Sequence, residues 1–393
     1  MRLVLAQETH RLYMLKSNEL HPDGKMFYQN DIMFKNTFIQ FGAIILISCI
    51  IGCSNNQDGP LANKSLAMGR INTLVVLAEK ELWEGEIGDT LDYYFASAYP
   101  VLPAPEPFFD LKYFSAEEMN AEPFRREFRN ILVVADVSDT TASVTKLLRK
   151  DLGPEKFNRA LTDPDFNTLV GLNKWARGQV IIYLFGNGKE ALDRAIKDHF
   201  PSIAKRVNKN DEAALAASIY GSMQDNQKLA QVISDSFGIK LRVPSLYVKA
   251  IEEENFLWIR ADQKDVNQSL VFRKFKYTDK SQLTKASLIK MRNEYGRKYI
   301  TTASEGAYMV TNDVDLPVYE YIQPINDIYA VEIRGIWETE NDFMGGPFIS
   351  YALLNEKKGE IIFIDAFVFA PGKDKRDYMQ QLDYVVKTVR LKE

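Results

Sequence analysis

The sequence predicts an α+β chain of two related-looking halves, with mostly antiparallel sheets each covered by helices. Three observations lead there. β-Branched runs such as Thr73-Leu74-Val75-Val76-Leu77 alternate along the chain with stretches of helical spacing. The run 348–369 reads as two strands joined by Asn355-Glu356-Lys357-Lys358-Gly359, an antiparallel hairpin. The junction Tyr183-Leu184-Phe185-Gly186-Asn187-Gly188-Lys189 is echoed 184 residues later by Phe367-Val368-Phe369-Ala370-Pro371-Gly372-Lys373, in each case strand, Gly-Lys turn and amphipathic helix. That echo is either a duplication or the ordinary use of glycine where a turn needs positive φ.

The amino-terminal address comes first. Met33-Phe34-Lys35-Asn36 opens with one positive charge, and the 14 residues 38–51 are almost all apolar. That is short of the roughly 18–20 residues a membrane-spanning helix needs. It fits a secretory signal, read here as residues 33–52. Ile50-Ile51-Gly52-Cys53 then resembles the lipobox of bacterial lipoprotein signals. The resemblance implies cleavage between Gly52 and Cys53 and diacylglycerol on the Cys53 thiol; the other reading is an uncleaved anchor. Several acyl chains, at about 0.8 kcal/mol per buried methylene, make such attachment effectively permanent. Residues 1–32 are polar, carry His10, His21 and Pro22, and fit no leader, so translation is expected to start at Met33, with Met26 as the alternative. Residues 53–69 read as a polar tether.

The first half is read as 70–215. Its expected elements are strands at 72–78, 108–114, 130–137 and 179–185, with helices at 88–97, 141–152 and 188–200. The run Ile131-Leu132-Val133-Val134-Ala135 is apolar enough to be buried on both faces. The polar stretch 205–212 marks a midpoint. The second half, 216–393, is expected to hold helices at 223–237, 281–295 and 374–389. Its strands are expected at 245–251, 256–261, 268–277, 318–322, 328–337, 348–354 and 360–369, as an antiparallel sheet with helices on one face.

Composition narrows the chemistry. The 393 residues are 46% apolar, ample for a core, and the net charge of -4 leaves no basic footprint for nucleic acid. Two cysteines and three histidines (His10, His21, His199) disfavour a disulfide scaffold and a zinc site. No cofactor is expected. Gly186-Asn187-Gly188-Lys189 lacks the phosphate-loop frame, since Tyr183 stands at its first glycine and Glu190 where a hydroxyl belongs. Ser-x-x-Lys occurs at Ser143–Lys146, Ser202–Lys205 and Ser287–Lys290, which reads as coincidence in a chain rich in both residues. Glu338, Glu340 and Asp342 lack calcium-loop spacing and read as a solvated strand edge. Asp365 is the one acid inside an apolar strand, although alternation favours its facing outward.

The best binding candidate is an aromatic and proline-rich loop. Four of the fifteen prolines fall within 100–107, flanked by Tyr93, Tyr94, Phe95 and Tyr99 on one side and Phe108, Phe109, Tyr113 and Phe114 on the other. Tyr94, Tyr99, Pro103, Pro105, Phe108 and Phe109 are its candidate contact residues. A stiff loop of this kind presents a preorganised apolar or sugar-stacking face, or else fills the core.

Phe128-Arg129-Asn130-Ile131-Leu132-Val133, Trp175-Ala176-Arg177-Gly178-Gln179, Gly335-Ile336-Trp337-Glu338, Gly346-Pro347-Phe348 and Asp365 through Lys373 together resemble a Bacteroidetes family of envelope lipoproteins, domain of unknown function 4837. The resemblance covers roughly 71–391 and implies location and fold class. Two functions follow as expectations. The first is a non-enzymatic binding or assembly module on the envelope, anchored to the membrane through Cys53, with an envelope protein or glycan as ligand and no nucleotide or nucleic acid. The alternative is a carboxylate-dependent enzyme acting on glycans through acids such as Asp365 or Glu338.

Overall fold

A computed structural model of the chain describes residues 64–221 and 224–392. The signal, Gly52 and Cys53 lie outside the described residues. No helix among the described residues is long and apolar enough to cross a membrane.

The first half begins with β1 (Thr73–Leu77), α1 (Lys80–Trp83), α2 (Glu86–Phe95), β2 (Asp110–Phe114) and α3 (Ala116–Ala121). It continues with β3 (Asn130–Asp136), α4 (Ser143–Thr162), β4 (Thr168–Leu172), β5 (Val180–Gly186) and α5 (Lys189–Tyr220). The strands form one sheet in the order β2-β1-β3-β5-β4. Here the antiparallel expectation is corrected for this half: β1 runs parallel to β2 and β3, and β3 to β5, with β4 alone antiparallel. The reason lies in the connections. A helix follows β1, β2 and β3 before the next parallel strand, and such crossovers return the chain in the same direction. Successive residues of the apolar runs then feed two cores. Leu74, Val76, Leu132 and Val134 pack under Leu91, Phe95, Leu192 and Ile196. Val75, Leu77, Ile131 and Val133 pack under Val144, Leu148 and Phe157 of α4. The helix predicted to end at 152 does break there: Gly153 takes φ 75° ahead of Pro154, and a second helical segment follows.

The second half comprises α6 (Gln227–Phe237), β6 (Ile239–Lys240), β7 (Val248–Glu253), β8 (Phe256–Gln263), β9 (Val266–Lys276) and α7 (Lys285–Tyr299). Then come β10 (Tyr308–Asn312), β11 (Tyr319–Ile325), β12 (Ile328–Glu340), β13 (Gly345–Asn355), β14 (Glu360–Phe369), α8 (Arg376–Lys387) and β15 (Arg390–Leu391). Eight strands make one antiparallel sheet, ordered β10-β12-β13-β14-β9-β8-β7 with β11 also on β12. Pairing over the whole chain is mostly antiparallel, and the class is α+β. The expectation of helices on one face is corrected. Ile233 and Phe237 of α6 and Leu382 and Val386 of α8 cover one face. Leu288 and Tyr295 of α7 cover the other. Both alternating sets of β13 and β14 are therefore buried. The Gly-Lys echo sits at a strand-to-helix junction in each half, β5 to α5 and before α8, but one sheet is mainly parallel and the other antiparallel. The shared feature is a turn, not a shared sheet.

Two segments, one read as a tether and one as the midpoint between the halves, are docked. Residues 64–69, assigned to the tether, form bridges Leu66 to Arg177 and Met68 to Phe128, and Lys64 donates to the carbonyls of Asn173 (2.9 Å) and Lys174 (3.0 Å). The polar stretch 205–212 is interior to α5, which runs through Pro201 for 32 residues. An interior proline costs about 3 kcal/mol. Packing on both sides of it offsets this: Phe200, Ile203, Ala204 and Val207 belong to the first-half core, and Ala216, Ile219 and Tyr220 pack into the second.

Candidate functional site

The halves meet along a cleft of about 650 Å³. One wall is α5, with Pro201, Ser202, Lys205, Asn208, Asp211 and Leu215. The opposite wall is α8 and the adjoining strands, with Gln323, Arg334, Gln380, Asp383, Tyr384 and Lys387. Tyr99, Pro100 and Phe108 close one end.

The floor is a network of opposite charges. Glu332 and Arg334 are two residues apart on β12, so alternation puts both on the face that α8 covers. Arg334 donates to Glu332 through Nε and to Asp383 through Nη2 at 3.5 Å. Lys387 Nζ donates to Asp383 at 2.8 Å, the hydroxyl of Tyr351 also donates to Asp383, and the amide of Gln323 donates to Glu332. Glu332 and Tyr351 are fully buried. Burial disfavours the charge on Arg334, yet Glu332 and Asp383 hold its pKa well above the usual value. Burial likewise works against Asp383, and Lys387 and Arg334 overcome it, so its pKa is lowered. Lys387 is raised, since Asp383 and Glu332 outweigh its own desolvation. Burial raises Tyr99 and pushes Tyr321 up to about 12. Two acids and two cations thus pair on this floor.

A second polar cluster ties the halves together. Asp211, nearly buried on α5, accepts from the backbone amide of Asn72 (2.8 Å), Asn130 Nδ2 (2.9 Å) and Arg129 Nη1 (2.9 Å). Asn72, held at φ 66° just before β1, exchanges amide bonds with Gln380 of α8 at 2.7 and 3.0 Å.

The proline-rich loop is where these parts join. Tyr99 stacks on Phe108 at 6.0 Å, and both line the cleft. Phe109 is buried against Phe108 (4.9 Å) and Phe95 (6.4 Å). Tyr94 packs on Phe200 at 5.7 Å, away from the cleft lining. Pro103 and Pro105 are exposed, and Leu102 between them and Tyr99 enters the second-half core. Of the six candidate contact residues, the structure brings Tyr99 and Phe108 to the cleft.

The acids singled out by the sequence pattern lie elsewhere. Asp365 is buried, not outward-facing, because α7 covers the face of β14 that alternation assigned to solvent. It accepts from Arg292 Nε (3.3 Å), Tyr295 and Ser350. Ile333, Ser350 and Asp365 are in register across three strands, and Glu338 is five residues beyond Ile333. Asp365 and Glu338 therefore point from opposite faces of the sheet. Paired-acid glycan chemistry needs two carboxylates roughly 5–10 Å apart across one cleft, and this pair does not make it. Among the described residues no three His, Cys, Asp or Glu stand close enough to hold a metal. The amide of Gly188, where a phosphate would bind, donates to Asp136 at 2.9 Å. Ser202 and Lys205 reach the cleft one helical turn apart, with the Ser202 hydroxyl donating to the His199 carbonyl at 2.9 Å.

Sequence reasoning missed Asp211, Glu332, Arg334 and Asp383, which are dispersed along the chain and assembled only by the junction of the halves. The available signal was an acid beside the apolar stripe of a helix, as in Val207 to Asp211 and Leu382-Asp383.

Comparison with known proteins follows the same division. A search of curated proteins found no match. Among solved structures, the Saccharomyces cerevisiae Ran-binding protein Mog1p is similar at 12% identity and a TM-score of 0.27, over 40% of this chain and 91% of that one. Human STARD10 is similar at 10% identity and a TM-score of 0.20, over 42% of this chain and 76% of that one. Residues 67–220 match a domain of unknown function, DUF8532, and residues 226–388 match another, DUF4837. The two matches divide the chain as its two large sheets do, residues 226–388 spanning the eight-stranded half and residues 67–220 the first half with α5.

Proposed function

We propose that this chain is a cell-envelope lipoprotein, held to the membrane through lipidated Cys53, and that it is a non-enzymatic binding or assembly module whose recognition surface is the cleft between its halves. The observation that carries the binding reading is the paired floor beside Tyr99, Phe108 and Tyr384. Arg334, Lys387 and Asp383 offer donors and acceptors side by side at the cleft, while the buried Glu332 pairs with Arg334. Aromatic rings next to such a surface take up the apolar faces of a ligand. The combination suits a polar envelope component, a glycan or an exposed protein segment. Each floor carboxylate is already engaged by a cation, an arrangement for holding a ligand and not for exchanging protons with it.

The address rests on the lipobox resemblance and the brevity of the apolar run. Mass spectrometry of the native protein from membranes tests it: the expected amino-terminal peptide starts at Cys53 and carries diacylglycerol. An unmodified sulfur with the leader still attached refutes the anchor. A photoreactive residue replacing Tyr384 tests the cleft. It is expected to cross-link to an envelope component in cells, where the same residue replacing Val314 does not. Equal labelling from both positions refutes the cleft.

A further inference from the structure

We infer that the end of the first half from which residues 64–69 emerge is a membrane-facing surface that rests on anionic lipid headgroups. This deepens the anchoring proposed above and rests on it.

The geometry begins with the docked segment. Leu66 bridges Arg177 and Met68 bridges Phe128, so the segment lies across the amino ends of β3 and β5. Lys64 reaches the carbonyls of Asn173 and Lys174 in the β4–β5 turn. These contacts put two large, exposed apolar side chains at one end of the sheet: Leu66, 70% exposed, and Leu172, 63% exposed. Phe124, 53% exposed, stands on the adjoining 3-10 turn, whose Arg126 carbonyl accepts from Gln179.

Basic side chains gather around them, with Asp151 and Glu127 the acids nearby. Lys64, Arg126, Lys174 and Arg177 share this end, and Arg126 lies 6.0 Å over the ring of Trp175. Lys174 is close enough to Lys150 and Arg126 to feel their repulsion, which adds to burial in lowering its pKa. Asp151 pairs with Lys174 and neutralises it. Lys64, Arg126 and Arg177 remain as basic residues beside the exposed apolar side chains, the composition that binds an interface of acyl chains below anionic headgroups.

The length of chain ahead of this end fixes the occupant. Cys53 precedes Lys64 by 11 residues. Even fully extended, that reaches about 40 Å. An acylated Cys53 would hold this end of the first half within about 40 Å of the bilayer. Each basic residue near an anionic surface adds about 1 kcal/mol of attraction, or roughly fivefold in occupancy.

The test uses the full-length protein purified from membranes and placed in vesicles of phosphatidylglycerol and phosphatidylethanolamine in equal parts. An environment-sensitive fluorophore is attached at Leu172→Cys, or at Val314→Cys, a position 90% exposed. Labelled peptides are identified by mass, which also reports whether Cys53 is acylated. The expected result is a blue shift at position 172 and none at 314. The shifted fraction is expected to fall about tenfold or more with Arg126→Glu and Arg177→Glu together, and in vesicles of phosphatidylcholine alone. Cys53 acylated with the position-172 probe still in water overturns the surface and leaves the anchor standing. Cys53 unmodified overturns the anchor, and the probe's response then decides the surface by itself. Equal shifts at both positions, or a shift indifferent to lipid charge, overturn it as well.

Discussion

Glu106, in the proline-rich loop of the first half, accepts the backbone N–H of Arg376 at 2.8 Å and so caps a helix of the second half. The same carboxylate takes the N–H of Lys375 at 2.6 Å. The guanidinium of Arg376 returns the contact, donating to the Pro107 carbonyl (2.6 Å) and to Asp110 (2.9 Å). A negative charge at a helix amino terminus is favourable on its own account. Glu106 is 9% exposed, so no water readily replaces it.

Glu106→Ala is therefore expected to destabilise the chain by about 2 kcal/mol, since it orphans two amides and a buried contact to Arg376. Glu106→Gln should lose less. Urea unfolding followed by fluorescence and by circular dichroism checks this. The alanine variant should also separate the unfolding of the two halves, which stay coincident in the parent.

The buried pair Arg292 and Asp365 gives a larger effect. Both side chains are fully inaccessible, and the Arg292 guanidinium lies 3.9 Å over the Phe348 ring. Asp365→Ala is expected to cost about 3–5 kcal/mol, because it strands a buried cation. Replacing both with apolar residues of similar size should recover a large part of that loss. Additive costs in this double-mutant cycle would contradict the pairing.

Acid should weaken the junction through Asp383. Its folded pKa is depressed, so its contribution is full above the unfolded value of about 3.9 and disappears as pH falls through the folded value. Stability is expected to hold from pH 7 to about 5 and to drop below about 4, and Asp383→Asn should flatten that drop. The alkaline limb has the opposite sign. Tyr321 is pushed up to about 12 by burial, so its stabilisation is complete below the unfolded value near 10 and fades as pH climbs toward 12. Urea midpoints of Tyr321→Phe against pH should show a shallower alkaline fall.

Gly296 tests the face of the large sheet that α7 covers. A Cβ there would sit 2.3 Å from the Met309 carbonyl oxygen of β10. Gly296→Ala is expected to push α7 off that strand at a cost of about 2 kcal/mol or more. Faster amide exchange in 308–312 is the local readout.

What the sequence disclosed follows burial and range. The doubly apolar run at Ile131 to Ala135, the break at Gly153 and the Asn355–Gly359 turn were legible, because each is set by neighbours in the chain. The orientation of Asp365 was not. Alternation marks one side of a strand as polar only where that side meets water, and α7 removes the water. The continuation of α5 past Pro201 was hidden for a similar reason: the compensating contacts come from two separate cores. Arg334 and Asp383, 49 residues apart, meet only because α8 packs on the face of the large sheet that Arg334 shares.

The 32-residue helix α5 has a consequence for dissecting the chain. At 1.5 Å per residue it is a strut about 48 Å long, and its last turns are lodged in its neighbour's interior. A fragment of residues 226–388 leaves those turns behind and opens an oily furrow where Ile219 and Tyr220 had lain. The two halves share one beam, and neither keeps its whole interior without it.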